Sequence, residues 1–186
     1  MNGKQYIEYI LSRDDVSTAI REDLDRLLTV VPEIAPMIGF AHRHPHHHLD
    51  IWEHTLLALE KSDNRFLTRL TLLLHDVGKP HSYQDDGETR HFRGHADKSA
   101  EIAREVLYRL GYESEFSELV VEMVKKHDTP LTIDDIRHDP EFSRELFAVQ
   151  RCDAMAHNPD YNEKRMAYVA RMGEILATIE CNNMKR

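Results

Sequence analysis

His54, His75, Asp76, His127 and Asp153 occupy places where an apolar side chain is expected, and imidazoles and carboxylates gathered on buried faces can hold a metal ion. In the segment 114–126 the apolar stripe runs Phe116, Leu119, Val120, Met123, Val124, and one more turn brings His127 to the same face. In 140–157 it runs Phe142, Leu146, Val149, and the next inward position is Asp153. His54 lies among Ile51, Thr55 and Ala58 within 50–62. The run from Phe66 to Leu74 is apolar nearly all round, as for a central helix, and ends directly in His75-Asp76. Each residue alone has a plainer reading. A lone inward histidine is more often a hydrogen-bonded core residue, and Asp153 has Arg151 nearby as an ion-pair partner. Four helices aiming such groups at one interior are harder to explain that way. Mixed nitrogen and oxygen donors suit iron, manganese, nickel, cobalt or zinc, and the pattern does not choose among them.

The elements that must position these groups are helices. Glycine and proline number seven each and lie mostly between periodic apolar segments. The periodicity predicts helices at about 4–12, 14–30, 50–62, 66–75, 97–110, 114–126, 140–157 and 160–180. Asp97 and Ser114 are expected as N-caps, and Gly78 and Gly111 as helix stops, the first reinforced by Pro80. No run alternates well enough to predict a strand. The polar stretch 79–96, with Gly87 and Gly94, is expected to be a long loop. No repeat or linker divides the chain, so residues 1–186 are expected to form one all-α domain. The amphipathic segments before residue 40 would serve as a supporting cap or as the surface of a homodimer.

Composition narrows the function classes. The formal net charge is -9, from 24 basic and 33 acidic residues, whereas a protein gripping a long nucleic-acid backbone usually presents a basic face. A small phosphorylated substrate, held by metal and a few local cations, fits better. There is no apolar run of membrane-spanning length and no secretory signal, and Cys152 and Cys181 suggest no disulfide framework. A cytoplasmic protein with reduced thiols and no membrane partner is expected.

The spaced set His54, then His75-Asp76 within Leu-Leu-His75-Asp76-Val-Gly78-Lys79-Pro, then a distant Asp153, resembles the HD-domain superfamily of metal-dependent phosphohydrolases. Three further stretches, His47-His48-Leu-Asp50-Ile-Trp52-Glu53-His54-Thr55, Phe92-Arg93-Gly94-His95-Ala-Asp97-Lys98-Ser99-Ala100 and Cys152-Asp153-Ala154-Met155-Ala156-His157-Asn158-Pro159, are similar to the HD domain of bacterial tRNA nucleotidyltransferases. The similarity covers about residues 30–175. Those enzymes also carry a nucleotidyltransferase head with a Gly-Gly motif and paired aspartates. This sequence has no adjacent glycines. A free-standing hydrolytic module is expected, not an enzyme that adds nucleotides.

The resemblance implies an HD-domain helical bundle with one metal on His54, His75, Asp76 and Asp153. Two-metal members add two histidines, which here match His95 and His127, so one or two ions are expected. It further implies phosphatase or cyclic phosphodiesterase chemistry on nucleotides, by in-line attack of activated water with no covalent enzyme intermediate. Asp76 could orient or deprotonate that water. Lys79 could hold a phosphate oxygen, although a lysine after a helix end also simply favours the helix dipole. Arg93, with Arg90 and His91, could clamp phosphate or belong to a solvated loop, and Asn158 could reach substrate. His42, His44, His46, His47 and His48 are expected as flexible surface histidines. His47 is excepted, because it matches a recurrent histidine of the resembling domains. Two rival readings remain: a mixed-valence di-iron oxygenase, which can use the same fold and ligands, and a non-catalytic nucleotide-binding regulatory module.

Overall fold

The computed structural model describes residues 1–183, with side chains described through Ile179, and is an all-α bundle. Its helices are α1 (Gly3–Leu11), α2 (Val16–Glu22), α3 (Leu24–Val30), α4 (Ile51–Glu60), α5 (Phe66–Leu74), α6 (Lys79–Ser82), α7 (His95–Leu110), α8 (Ser114–Lys126), α9 (Ile133–His138), α10 (Pro140–Met155) and α11 (Glu163–Asn183). Short 3₁₀ turns lie at Pro32–Met37 and Pro159–Tyr161.

The centre of the bundle is α5, buried from Thr68 to Leu74. Around it pack α4, α8 and α10, with α7 laid along α8 and α9 and α11 against α10. One buried apolar cluster runs from Tyr6 to Leu176 and takes in the inner faces of α1–α3. Arg69, on this central helix, is 3% exposed. Its guanidinium donates to the carbonyls of Leu11 and Arg13 and to Asn64 Oδ1 and Ser62 Oγ, which satisfies a buried charge and ties the N-terminal helices to α5. Cys152 is buried with a free thiol; the side chain of Cys181 lies outside those described. Among the described residues no helix is long and apolar enough to cross a membrane.

Several predicted boundaries move, each for a local reason. The segment 14–30 breaks into α2 and α3 at Asp23, whose backbone leaves the helical region (φ −120°, ψ 30°). Asp97 is not a cap: α7 starts at His95, because Gly94 takes a left-handed conformation at φ 76°. Ser114 is the first residue of α8 and Glu113 stands before it. α10 begins where Asp139 accepts from the Phe142 amide and Pro140 supplies the first turn. Gly111 does terminate α7 in the left-handed region, at φ 78°. The stretch 79–96 is more ordered than expected. It holds α6 and an antiparallel pair, β1 (Gln84–Asp85) and β2 (Arg90–His91), with Gln84 opposite His91.

Candidate metal centre

Three helices deliver their C-terminal ends to one point. α5 ends at His75-Asp76, α8 at His127, and α10 carries Asp153 in its last turn. Helix C-termini carry partial negative charge and leave carbonyls without partners, so their convergence favours a cation. The same carbonyls fix the imidazoles. His75 Nδ1 donates to Leu72 O at 2.7 Å and His127 Nδ1 to Val124 O at 2.6 Å. His54 Nδ1 donates to Ala156 O at 3.2 Å, and His95 Nδ1 to Phe92 O at 2.8 Å. With Nδ1 committed, Nε2 of each ring faces inward and can offer its lone pair to an ion once it carries no proton.

Asp76, fully buried, divides the site into two halves. Its Oδ2 is 3.2 Å from His75 Nε2 and 3.7 Å from His54 Nε2, while Asp153 Oδ1 lies 2.9 Å from His54 Nε2 and 3.6 Å from His75 Nε2. Its Oδ1 faces His95 Nε2 at 3.5 Å and His127 Nε2 at 3.7 Å, and those two nitrogens are 3.2 Å apart. Metal–ligand bonds of about 2.1 Å place neighbouring ligand atoms roughly 3.0–3.5 Å apart, so both groups have the span of a coordination shell. His54-His75-Asp76 and Asp76-His95-His127 are each close enough to hold one ion. Asp76 Oδ1, Asp76 Oδ2 and His75 Nε2 are buried without a directed hydrogen bond. Lys79 Nζ stands 2.7 Å from Oδ2, a charge contact lacking hydrogen-bond geometry. Such orphaned groups cost about 1–3 kcal/mol each, more when charged, and a bound cation would offset that cost.

The electrostatics of the metal-free chain agree. Burial pushes the His75 imidazolium down, but the Asp76 and Asp153 carboxylates outweigh it and raise the pKa to about 10. Burial also opposes ionisation of Asp76 and Asp153, yet neighbouring His75, Lys79, His157 and His54 hold both carboxyls well below the usual range. Burial, with the nearby His75 charge, lowers His127 to about 4. With no ion bound, a proton on His75 would supply the positive charge that the two carboxylates face. Its raised pKa stabilises the metal-free fold fully below about pH 6.5, and this contribution is lost as pH rises through 10. Metal must displace this proton. Calorimetry at pH 7 in buffers of different ionisation enthalpy is expected to find about one proton released per first ion, with affinity rising about tenfold per pH unit toward 10.

Over the centre lies a cavity of about 340 Å³, into which Lys79, Arg90, Arg93 and Arg165 bring positive charge beside several histidines. Asp128 and Asp153 line it too, so four cations face two carboxylates and the lining is formally basic on a chain of net charge -9.

The structure brings together His54, His75, Asp76, Asp153, His95 and His127. His47, Lys79 and Arg93 line the cavity. Lys79 is nearly buried between Asp76 and His42, to whose Nε2 it donates at 3.1 Å. Arg90 is engaged elsewhere, donating to Asp85 and to Ala41 O. Asn158 is not on the cavity wall: its side chain donates to Pro45 O and accepts from the Asp160 amide. The histidine-rich stretch is at the surface only in part: His46 and His48 are exposed as expected, His44 and His47 are half-buried, and His42 is buried. His42 is 1% exposed and stacks on His47 with ring centroids 3.7 Å apart. Sequence reading also passed over His157 and Arg165. His157 lies one turn after Asp153 and belongs to a third close group with it and His54. Its spacing was a usable signal; Arg165, 3.4 Å from Asp153 Oδ2, gave none.

The family model described as the HD domain matches residues 44–158. Over 104 residues, 52% of this chain and 24% of the relative, it is 40% identical to the CC-adding tRNA nucleotidyltransferase of Thermus thermophilus. It is 33% identical to the A-adding tRNA nucleotidyltransferase of Deinococcus radiodurans over 149 residues, 72% of this chain and 34% of the relative. It is 28% identical to the multifunctional CCA protein of an Azoarcus species over 145 residues, 73% and 32% of the two chains. The aligned segments thus span between about a quarter and a third of these curated relatives.

Proposed function

The chain belongs to the HD-domain family, and from that premise we propose that it is a metal-dependent phosphohydrolase cleaving phosphomonoesters or cyclic phosphodiesters of a nucleotide-like substrate. The observation that carries this reading is the basic cavity opening directly on the two halves of the Asp76 site. Bound there, a divalent ion would lower the pKa of water and neutralise phosphate charge. The side chains assigned to hold it are His54, His75, Asp76 and Asp153 in one half, and Asp76, His95 and His127 in the other. Arg93 and Arg165 would receive phosphate oxygens at the mouth. Lys79 would place an N–H beside them while keeping Asp76 in position.

Phosphate release from a panel of esters, tested with several divalent metals, checks the assignment. Release without oxygen consumption is the expected result. Oxygen uptake by iron-loaded protein would replace it with the oxygenase reading, which the same six ligands could support. Absence of turnover with every ester and metal would leave a nucleotide-binding regulatory module. In a metal analysis, His95→Ala or His127→Ala is expected to remove one equivalent while the His54 half stays loaded. Unchanged metal in both variants would make these histidines structural.

The relatives are named as acting on tRNA, and the local charge at the mouth removes the force of the net-charge argument against RNA. We propose that a small nucleotide suffices as substrate, because the groups assigned to metal and to phosphate surround one cavity of about 340 Å³. Steady-state kinetics on a mononucleotide and on tRNA with the same terminal chemistry tests this, with comparable kcat/KM expected. A preference of about 100-fold for tRNA, equivalent to ~2.7 kcal/mol of transition-state binding, would assign the polymer instead.

A further inference from the structure

The loop that carries the histidine run is held rigidly for a surface segment. At one side the Arg43 guanidinium donates to Asp85 Oδ2 and Gly87 O, and Arg43 O accepts from the Arg90 amide, fixing the loop to the β1–β2 pair. Arg43 itself sits at φ 48°, a left-handed conformation that costs a non-glycine residue energy. At the other side Asn158 donates its backbone N–H to His46 O and its side-chain amide to Pro45 O, fixing the loop to the end of α10. What this double anchorage presents at the cavity is aromatic. His44 and His46 stack with centroids 5.0 Å apart and planes within 25°. The His46 ring is fixed by an Nδ1 contact of 3.1 Å to Tyr161 O, and the Tyr161 ring, 58% exposed, stands edge-on at 6.2 Å. Both histidines line the cavity mouth.

We propose that His44 and His46, flanked by Tyr161, form a seat on which a nucleobase stacks while its phosphate lies at the metal centre. The inference rests on the phosphohydrolase reading for the phosphate end, and on ring geometry alone for the base end. A planar heterocycle entering the mouth extends the His44–His46 stack, and any base has a face to offer. The order of rings sets the distance. His44 is 6.4 Å from His47, and His47 is 5.1 Å from the proposed ligand His54. His47 thus lies between the seat and the proposed ligand His54, so base and phosphate of one nucleotide can lie along the same cavity wall. The immobilised loop also lowers the ordering cost of stacking, because the rings are already held in place. The shared chemistry is a base joined through ribose to phosphate, whether from a free nucleotide or from the end of an RNA strand.

The test separates this seat from the hydrolytic assignment by using ligands that cannot turn over. Calorimetry on metal-loaded protein would compare the phosphonate analogues of adenosine 5′-monophosphate and ribose 5-phosphate. The adenosine compound is expected to bind about 5- to 100-fold tighter, the range for loss of one stacked base. That preference should collapse toward one in His46→Ala and persist in His46→Phe, which keeps a flat ring. Equal affinities in the wild type, or a preference that survives His46→Ala, would overturn the seat, whatever the turnover assays find. Loss of the preference in His46→Phe as well would also overturn it, since the imidazole would then act by hydrogen bonding. A short oligoribonucleotide with a terminal phosphonate assigns the source. Competition about tenfold better than the mononucleotide marks a strand end, and equal or weaker competition marks a free nucleotide.

Discussion

Asp76→Asn is expected to give a chain that folds but takes up no metal in either half of the site, with phosphate-ester turnover lost by about a hundred- to a thousandfold, on the order found when a charge-stabilising group is removed. The reason is geometric. Among the described residues Asp76 is the one side chain that faces both groups, Oδ2 toward His54 and His75 and Oδ1 toward His95 and His127. Removing His95 or His127 costs one half, whereas Asp76 serves both. Asparagine keeps the volume and removes the negative charge, so a buried Lys79 ammonium 2.7 Å away loses its counter-charge. Some loss of stability is therefore expected, about 3–5 kcal/mol. Thermal denaturation with added metal separates the two effects. At a metal concentration about 100-fold above Kd, binding stabilises the wild type by ~2.7 kcal/mol, or roughly 5–11 °C at this chain length. Asp76→Asn should show a lower starting Tm and no metal-dependent rise. A variant that still rises with metal would place the ion elsewhere.

The ligand set could be read in the sequence because its members break an otherwise apolar pattern. His127 continues the α8 stripe and Asp153 the α10 stripe, so their burial followed from periodicity, and both are buried. His75-Asp76 could be placed at the end of a central helix because Phe66 to Leu74 has so few polar positions. The division of Asp76 between two groups could not be read that way. It depends on α7 and α8 meeting α5 at one end, a tertiary fact. Within the histidine run at 42–48 the burial of His42 was misjudged for a related reason. Its ring packs against His47, His54 and Phe92, while the β1–β2 pair and the segment after α10 hold Arg43, Pro45 and His46, and no local pattern announces contacts with elements so far off in sequence. Short helices such as α9, a six-residue element held by a Thr132 capping box, carry too few residues to show a period. The charge argument against a long nucleic acid finds no support, because it averages over the whole surface. A net charge of -9 says nothing about one cavity wall, and Lys79, Arg90, Arg93 and Arg165 gather where the mean is least informative.

Gly78→Ala is expected to be among the most damaging single-methyl changes in the molecule, and its damage should be directional. Gly78 follows the ligand pair by two residues, and its amide donates to Ser99 Oγ at 2.9 Å. A Cβ there would lie 2.4 Å from Ser99 N, 2.7 Å from His95 O and 2.8 Å from Lys98 C. All three are backbone atoms of the first turn of α7, so no side chain can swing aside. Overpacking commonly costs 1–3 kcal/mol, and contact with fixed backbone belongs at the upper end, about 3 kcal/mol. For a chain of this length that is a fall in Tm of roughly 6–12 °C. Relief requires α7 to move away from the turn after Asp76, and α7 carries His95 at its first position. His54, His75 and Asp153 sit on α4, on the end of α5 and on α10, outside that displacement. Metal analysis of Gly78→Ala should therefore find the His54 half loaded and the His95 half depleted. Gly173→Ala is the matched control: it lies within α11, and a Cβ there would meet only the Phe147 ring at an ordinary 3.7 Å. Removing a helical glycine should raise stability by about 0.5–1 kcal/mol. If Gly78→Ala loses both equivalents together, the two halves form one cooperative unit and the independence inferred from the geometry is wrong.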